Sequence, residues 1–376
     1  MFNFDNPPSR ANTYSFKWKK YEGQDIIPAW VADTEFECAA PILDAIHAET
    51  NTGVMGYTLP NQYTPAKDAV IRWLAEKHDW TVEADWIVWV PGVVPAFNVF
   101  CKAFSQHDSK VIVQTPNYPP LLAAPKLNGL ERLTAGTIKL DGRWTLDFDE
   151  LEKHAADPLC SQLILCNPMN PVGSVFTAAE IDHIAQLCEK HDLLLCSDEV
   201  HCDLILDTDV KHIPAGRVAS LEQRSVTLMA ASKTFNIAGL GTAFAIIPNR
   251  KVRQQFVNAT MGMLPWVSKI GLVATEAAFT QCDDWHQSLL DYLRGNRDLL
   301  VSEINKIEGL SMLAPQATYL GWIDASGLKV DNPQQWAEGK GVGPSPGADF
   351  NDPEFIRINY GCSRGMLQEM LKRLKT

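Results

Sequence analysis

Lys233 is the residue with the most specific chemistry in this sequence, because it lies just beyond the apolar run 225–230. That run is typical of a buried parallel strand. Burial at a strand end lowers the proton affinity of an amine, so a neutral, nucleophilic lysine becomes accessible. The alternative is a lysine whose stem lies along the protein while its amine reaches solvent, which is common at strand ends. Other segments of the chain decide between the two interpretations.

Two more strand-like runs are followed by side chains that suit a heterocyclic ring. Asp198 follows the run 193–196, and a carboxylate there can pair with a protonated ring nitrogen through a charge-assisted hydrogen bond. Asn170 lies between two prolines after the run 162–166 and can donate to a phenolate oxygen. Taken singly, Asp198 is equally a helix N-cap and Asn170 equally part of a proline-bracketed turn.

An aromatic residue and a glycine-containing turn follow a further two runs. Tyr118, between prolines after the run 110–114, can stack on a planar ring, although a packing tyrosine has the same pattern. The segment Pro91-Gly92-Val93-Val94 opens a predicted helix after the run 86–90, and a helix N-terminus can bind a phosphate. Pro-Gly before a helix is also ordinary turn chemistry.

One ligand satisfies all five segments, and it is pyridoxal phosphate. Lys233 would hold its aldehyde, and Asp198 would keep its ring nitrogen protonated. Tyr118 would stack on the ring, Asn170 would bond the ring hydroxyl, and the helix that starts after Gly92 would bind the phosphate. No Gly-x-Gly-x-x-Gly follows a predicted strand, which argues against a dinucleotide-binding protein.

The five segments meet only if their strands end at one edge of a sheet. Short apolar runs alternate with helical patterns, which predicts an α/β fold with a mostly parallel sheet covered on both faces. Ligands bind such sheets at the carboxyl ends of the strands. One helix, 177–191, opens with Thr177 as N-cap and Glu180 completing a capping box. The runs are 86–90, 110–114, 162–166, 193–196, 226–229 and 242–247.

The pattern changes after about residue 280 and predicts a smaller α+β C-terminal domain. It contains a long helix over 283–307, strands at 317–323 and 355–359, and a final helix over 363–375. The proline- and glycine-rich segment 341–347 predicts a loop within this domain.

Composition and charge restrict the function classes. The chain has 376 residues, of which 46% are hydrophobic, and a net charge of -12. It is therefore globular, and its acidity argues against nucleic acid or an anionic membrane surface as a partner. No apolar run has the length of a membrane span, and the N-terminus lacks the features of a signal peptide. We expect a soluble, cytoplasmic protein.

The nine cysteines include no Cys-x-x-Cys pair, and several lie in apolar segments, which predicts reduced core cysteines. The nearest group to a metal cluster is Cys196, Asp198, His201 and Cys202, whose spacing fits no zinc pattern. We expect no metal.

Four motifs follow one another along the chain: Asn167-Pro-x-Asn170-Pro-x-Gly173, Ser197-Asp198-Glu199-Val200-His201, Ser232-Lys233-Thr234-Phe235-Asn236 and Arg357-x-Asn359. Through them the chain resembles the fold-type I pyridoxal-phosphate enzymes, the three-layer aspartate aminotransferase superfamily with class I/II aminotransferases. Within it the chain is most similar to the cystathionine β-lyase-like branch, the bacterial C–S β-lyases. Cues of that branch include Pro28-Ala-Trp30-Val-Ala-Asp33 and Gly56-Tyr57, and the resemblance extends from about residue 14 to the C-terminus.

The resemblance implies a role for each matched residue. Lys233 would be the cofactor-binding lysine and the acid/base, assisted by Asp198 and Tyr118. Arg357 would bind the substrate α-carboxylate, with Tyr118 and Asp33 also on the substrate side. Tyr57 would reach the phosphate of a neighbouring subunit, which implies a homodimer with shared active sites. The cofactor-binding residues would be Lys233, Asp198, Asn170, Tyr118, Val93, Val94, Ser232, His201 and Tyr57.

The resemblance also implies three regions: an N-terminal segment 1–50 that packs with the small domain, a large cofactor-binding domain 51–282, and a small domain 283–376. Some positions depart from the branch. Thr34-Glu35-Phe36 replaces a usual second aspartate, and the loop 347–354 before Arg357 lacks the usual glycines. In the family these positions flank the active-site entrance, so they bear on the substrate side chain.

The reaction implied by the resemblance is β-elimination of cystathionine or another S-substituted cysteine to a thiol, pyruvate and ammonia. An aminotransferase is the alternative, because it uses the same lysine, aspartate and arginine. A regulatory protein that binds pyridoxal phosphate without turnover is a third interpretation, which the joint presence of Lys233, Asp198 and Arg357 disfavours.

Overall fold

A seven-stranded sheet is the centre of the computed structural model, which describes residues 2–376. The strands are β1 (Ile27–Ala29), β2 (Ile87–Val90), β3 (Lys110–Gln114), β4 (Glu131–Ala135), β5 (Thr137–Leu140), β6 (Arg143–Leu146), β7 (Cys160–Cys166), β8 (Leu194–Asp198), β9 (Ser225–Met229), β10 (Ala243–Ile246), β11 (Ser311–Met312), β12 (Leu320–Asp324), β13 (Val342–Pro346) and β14 (Phe355–Asn359). The α-helices are α1 (Phe16–Lys19), α2 (Ala40–Asn51), α3 (Thr64–His78), α4 (Val93–Ala103), α5 (Pro119–Leu127), α6 (Phe148–Ala155), α7 (Ala178–Lys190), α8 (Ala219–Glu222), α9 (Arg250–Thr260), α10 (Lys269–Gln281), α11 (Asp283–Ile304), α12 (Pro333–Gly339) and α13 (Arg364–Leu374).

The large sheet has the order β2-β10-β9-β8-β7-β3-β4, and β10 runs in the direction opposite to the other six strands. The predicted α/β fold with a mostly parallel sheet is therefore confirmed. The carboxyl ends of β2, β3, β7, β8 and β9 lie at the same edge, because these strands run in the same direction.

Side chains of the central strands alternate between two apolar layers. Val113 and Ile164 pack with α4, α5 and α9 on one face. Ile112 and Leu163 pack with α6 and α7 on the other. Because both faces are covered, the strands are continuous apolar runs in the sequence rather than alternating ones.

The capping box predicted for α7 is present. The Thr177 hydroxyl accepts from the Glu180 amide at 3.2 Å, and the Glu180 carboxylate accepts from the Thr177 amide at 2.7 Å. These bonds satisfy amides that the helix itself leaves free, which fixes the start of α7 after the turn that carries Asn170.

A second, five-stranded sheet has the order β1-β13-β14-β12-β11 and brings the N-terminal segment to the C-terminal part of the chain. β1 pairs in parallel with β13, whereas α2 packs against α10. The boundaries of the three regions, at residues 50 and 282, stay a prediction. Within residues 2–376, no helix is long and apolar enough to span a membrane; the cytoplasmic location also stays a prediction.

The predicted loop over 341–347 is wrong, because residues 342–346 form β13. This strand pairs with only three residues of β1 and two residues of β14. Its ladders are so short that Pro344 and Pro346 can occupy it although neither has an N–H to donate. The difference matters for the site, because Ser345 of this strand contacts Arg357.

Candidate active site

A cavity of about 430 Å³ opens at the carboxyl edge of the large sheet and extends to β13 and β14. It contains most of the residues predicted to bind a cofactor or substrate, brought together from five strand ends and from the small sheet. They are Val93, Val94, Tyr118, Asn170, Asp198, His201, Ser232, Lys233 and Arg357.

Lys233 lies on a turn after β9 that is anchored to the segment 30–36. The side chain of Asn236, whose φ is 56°, accepts from the Thr34 amide at 3.1 Å and donates to the Phe36 carbonyl at 2.8 Å. The Lys233 amine donates to the Ala32 carbonyl at 2.8 Å. Burial lowers the pKa of this amine, Asp33 opposes that shift, and nearby Arg357 adds to it. A neutral amine is therefore more accessible here than on a free lysine.

Asp198 ends β8 and is buried. Its carboxylate accepts from the Val200 amide at 3.2 Å and lines the cavity, and no Lys or Arg of the described residues forms an ion pair with it. Burial raises the pKa of the carboxyl to about 7, more strongly than the Val200 bond and Lys233 lower it. A buried carboxylate without a cation is a suitable partner for a protonated ring nitrogen.

His201 is 2% exposed and lines the same cavity. Burial, together with the charges of Lys233 and Arg357, lowers the pKa of its imidazole to about 3, so the ring is neutral. Its Nδ1 has no hydrogen-bond partner among residues 2–376. The ring contacts Tyr319 edge to face, with 5.9 Å between centroids.

Arg357 and Asn170 bond each other across the cavity. The guanidinium Nη1 donates to Asn170 Oδ1 at 2.8 Å, so the amide nitrogen of Asn170 stays available as a donor. Nη2 donates to the Trp30 carbonyl at 2.6 Å and to the Ser345 hydroxyl at 3.2 Å. Arg357 is 4% exposed, and no carboxylate of the described chain pairs with it.

The guanidinium of Arg357 lies over the Phe350 ring at 4.6 Å, and burial lowers its pKa to about 10. It stays a cation at neutral pH. A buried cation that lacks an anion is costly, and a ligand carboxylate would remove that cost.

The predicted phosphate-binding turn has the geometry that anion binding requires. Gly92 has φ 142°, a region open to glycine, and α4 begins directly after it. Val93 and Val94 are the first two residues of the helix, so their amides have no partner within it. Ser232 lines the cavity as well, and Tyr118, whose pKa burial raises, is the N-cap residue of α5.

Two predicted residues do not line the cavity. The carboxylate of Asp33 pairs with Arg10 at 2.7 Å and lies 3.6 Å from the Lys17 amine. Tyr57 is 98% exposed, and its ring contacts Trp266 with 6.0 Å between centroids. Asp33 is nevertheless close enough to Lys233 for its charge to act on the pKa of that amine, whereas Tyr57 lies apart from the other predicted residues. The roles of both residues stay predictions.

Several residues that line the cavity could not be identified from the sequence pattern. They come from the N-terminal segment and the small sheet and are Phe16, Trp30, Ala32, Ser345, Asp349 and Phe350. Trp30 and Ala32 belong to the motif 28–33, which resembles the family but does not follow a long apolar run. Ser345 lies in the segment predicted as a loop.

The segment 30–36 is held by side chains rather than by a strand partner. The carbonyl of Ala32 accepts from Lys233 and, at 3.1 Å, from the Tyr319 hydroxyl. Asn359 donates to the carbonyls of Val31 and Asp33 at 2.5 and 2.6 Å. The two cations of the cavity, Lys233 and Arg357, thus donate to carbonyls only two residues apart. This segment fixes the distance between the amine and the guanidinium.

Comparison with known proteins identifies the family of the chain. The family model for aminotransferase class I and II matches residues 12–374. Cystathionine beta-lyase PatB of Bacillus subtilis (strain 168) is 36% identical over 388 residues, which cover 99% of each chain.

Two solved structures are also similar over nearly their whole length. The crystal structure of OvoB superposes with a TM-score of 0.96 at 42% identity, covering 99% of this chain and 98% of that one. Cystalysin from Treponema denticola, whose crystal structure contains a pyridoxal 5'-phosphate cofactor, superposes with a TM-score of 0.95 at 30% identity, covering 100% and 98%. The chain belongs to the aminotransferase class I and II family.

Proposed function

We propose that this protein is a pyridoxal-phosphate-dependent C–S β-lyase. It would take an S-substituted L-cysteine and one water to a thiol, pyruvate and ammonia, with cleavage of the Cβ–S bond. The observation that carries the proposal is the set of Lys233, Asp198, Asn170 and Arg357 in one cavity of a chain that is 36% identical to a cystathionine beta-lyase over its whole length.

The residues of the cavity fit the cofactor. Asp198 is a buried carboxylate without a cation, Asn170 has a free amide donor, and α4 presents unpaired amides behind Gly92. Lys233 would hold the cofactor through its amine, with Tyr118 on the ring and Val93, Val94 and Ser232 on the phosphate. When bound, pyridoxal phosphate supplies an electron sink that makes the Cα–H bond of an amino acid acidic.

The protein's own residues would then orient the substrate and move its proton. Arg357 would bind the α-carboxylate through the guanidinium, which the Phe350 ring and the Trp30 carbonyl hold in place. The Lys233 amine would take the Cα proton, because its lowered pKa favours the neutral form. The Ala32 carbonyl offers the amine a fixed resting position.

The experiment that tests this function combines purified protein, pyridoxal phosphate and L-cystathionine without a 2-oxo acid. We expect pyruvate and free thiol in equal amounts, and neither product with Lys233→Ala. A result of no pyruvate, with the cofactor converted to its amine form by amino acids, would contradict the lyase.

An aminotransferase is the second candidate, because the matched family model carries that name. The same cavity would serve it, since transamination needs the same lysine, aspartate and arginine. The test separates the two, because an aminotransferase needs a 2-oxo acid as acceptor and leaves the C–S bond intact.

We also propose that the protein is a homodimer with shared active sites. Tyr57, predicted to reach the cofactor phosphate of a neighbouring subunit, is 98% exposed, as a residue with a partner outside its own chain must be. Exposed apolar side chains surround it, notably Val54, Met55 and Trp266, which are 67%, 64% and 60% exposed. A patch of this kind is typical of an interaction surface.

A further inference from the structure

We infer that Asp349, at the mouth of the cavity, selects substrates whose sulfur substituent carries a positive charge. This inference rests on the proposed function and adds a substrate class to it: S-substituted cysteines with a cationic amine on the leaving thiol. Asp349 lines the cavity, is exposed to solvent, and forms no ion pair among residues 2–376.

The position of Asp349 is fixed by residues that contact the substrate-binding arginine. It follows β13, whose Ser345 bonds Arg357, and it precedes Phe350, whose ring lies under the same guanidinium. Asp349 belongs to a turn that starts at Gly347. This glycine has no room for a side chain, because a Cβ there would lie 2.2 Å from the Asp352 carbonyl oxygen. The Asp352 amide donates back to the Gly347 carbonyl at 3.0 Å. The backbone of the turn therefore places residue 349 next to the residues that contact Arg357.

In the proposed binding mode the sulfur substituent would extend toward the mouth. With the α-carboxylate on Arg357 and the Cα–H facing Lys233, the open part of the cavity would receive the substituent. The rings of Phe16 and Trp30 also line this cavity, with 4.7 Å between their centroids. Aromatic faces and a carboxylate both attract an ammonium group and give an anionic group no partner.

The nearby cations do not neutralise Asp349. Asp349 also borders a second depression, which Lys126 and Arg132 line, and neither of these cations forms an ion pair with it. Arg132 instead donates to the Leu122 carbonyl at 2.7 Å. Arg357 lies close enough to Asp349 for the two charges to interact, and the substrate α-carboxylate would occupy the guanidinium.

Three substrates of similar size test the inference: S-(2-aminoethyl)-L-cysteine, S-propyl-L-cysteine and S-(carboxymethyl)-L-cysteine, which are cationic, neutral and anionic at the substituent. Each is assayed for kcat/KM with the wild-type holoenzyme, with Asp349→Asn, and with Asp352→Asn as a matched control in the same turn that does not line the cavity. Their dissociation constants are measured in parallel by calorimetry on the Lys233→Ala protein with and without Asp349→Asn, where turnover is removed.

We expect the wild type to favour the aminoethyl substrate over the carboxymethyl one. Asp349→Asn should reduce that ratio about two- to fivefold, the size of one partly exposed charge pair, with S-propyl-L-cysteine unaffected. An unchanged ratio, or an equal change in Asp352→Asn, would overturn the inference. If none of the three substrates yields pyruvate, the proposed function fails. The ratio of the dissociation constants for the carboxymethyl and aminoethyl compounds, with and without Asp349→Asn, then still tests whether Asp349 selects a cationic substituent.

Discussion

Burial shifts the pKa of the acid and of the bases in the cavity, and a ligand that supplies the opposite charges would reverse these shifts. It raises the pKa of Asp198 and lowers the pKa of Lys233 and His201, so each group is driven toward its neutral form. Arg357 keeps its charge without an anion. A ligand that brings a ring cation and a carboxylate supplies the missing partners. Binding of such a ligand should therefore raise the free energy of unfolding.

The first prediction concerns Asp198→Asn in the apoprotein. The pKa of Asp198 is about 7 in the folded chain and near 3.8 when unfolded, so stability is lost as pH rises through this window. Asparagine keeps the acceptor for the Val200 amide without the charge. At pH 8 we expect the free energy of unfolding of the variant apoprotein to exceed that of the wild type by an amount on the order of a few kcal/mol, with a higher melting temperature. The two proteins should converge near pH 4.

The same variant should bind pyridoxal phosphate more weakly, because the ring nitrogen loses its charged partner. Calorimetric unfolding at the two pH values and fluorescence titration of the cofactor measure both effects. Equal melting temperatures at pH 8 would show that Asp198 is not a buried carboxylate without a partner.

The second prediction concerns Arg357→Lys. A lysine keeps the charge but cannot hold a carboxylate through two parallel bonds or contact Trp30 and Asn170 together. Loss of a hydrogen bond to a charged group lowers kcat/KM for L-cystathionine about 10- to 100-fold, mostly through KM. Steady-state kinetics measure this. Arg364→Lys, at the start of α13, is the control. An unchanged KM for Arg357→Lys would show that Arg357 does not bind the substrate.

At the scale of elements, the extended segment 30–36 positions the site as much as the sheet does. It is tied to α1 by a buried ion pair, since the Lys17 amine lies 2.6 Å from Glu35 and the two side chains are 1% and 2% exposed. The Trp18 indole donates to the second Glu35 oxygen at 2.9 Å. Glu35 belongs to the segment Thr34-Glu35-Phe36, which by the family resemblance replaces a usual second aspartate.

The third prediction tests that ion pair. Lys17→Met leaves Glu35 buried without its closest cation and should destabilise the protein by about 3–5 kcal/mol. The double variant Lys17→Met with Glu35→Gln has no unpaired buried carboxylate, so it should recover much of the lost stability. Denaturant unfolding of the single and double variants gives the coupling between them. Additive effects would mean that Lys17 and Glu35 do not act as a pair.

The strand ends were predictable from the sequence, whereas the residues facing them were not. Buried parallel strands are continuous apolar runs, and the residues just after each run lie at the functional edge of the sheet. That logic locates Lys233, Asp198 and Asn170. The segment 30–36 has no such signal, because its carbonyls are satisfied by side chains from distant parts of the chain, such as Asn236 and Asn359.

Two departures from the predicted elements have specific backbone causes. β13 contains two prolines, which predict a loop, but its short ladders leave room for residues without an N–H. β12 begins at Leu320 rather than at the predicted residue 317, and Thr318 has φ 73°. A residue in that region cannot continue a strand.

At the scale of the whole molecule, the exposed patch around Tyr57 leads to the fourth prediction. If the patch joins two subunits, Trp266→Glu places a charge in the interface and should give a monomer with weaker cofactor binding. Light scattering and cofactor titration measure the two effects. Leu127→Glu, at an exposed apolar position on α5, is the matched control. A wild-type protein that is monomeric at micromolar concentration would contradict the shared active site.

The central claim is that residues from five strand ends converge on one pyridoxal phosphate whose covalent link is Lys233. The most direct test is borohydride reduction of the holoprotein, followed by proteolysis and mass spectrometry of the peptides. We predict a phosphopyridoxyl group on the peptide that contains Lys233, and on no other lysine peptide. Label on a different lysine, or none at all, would contradict the claim.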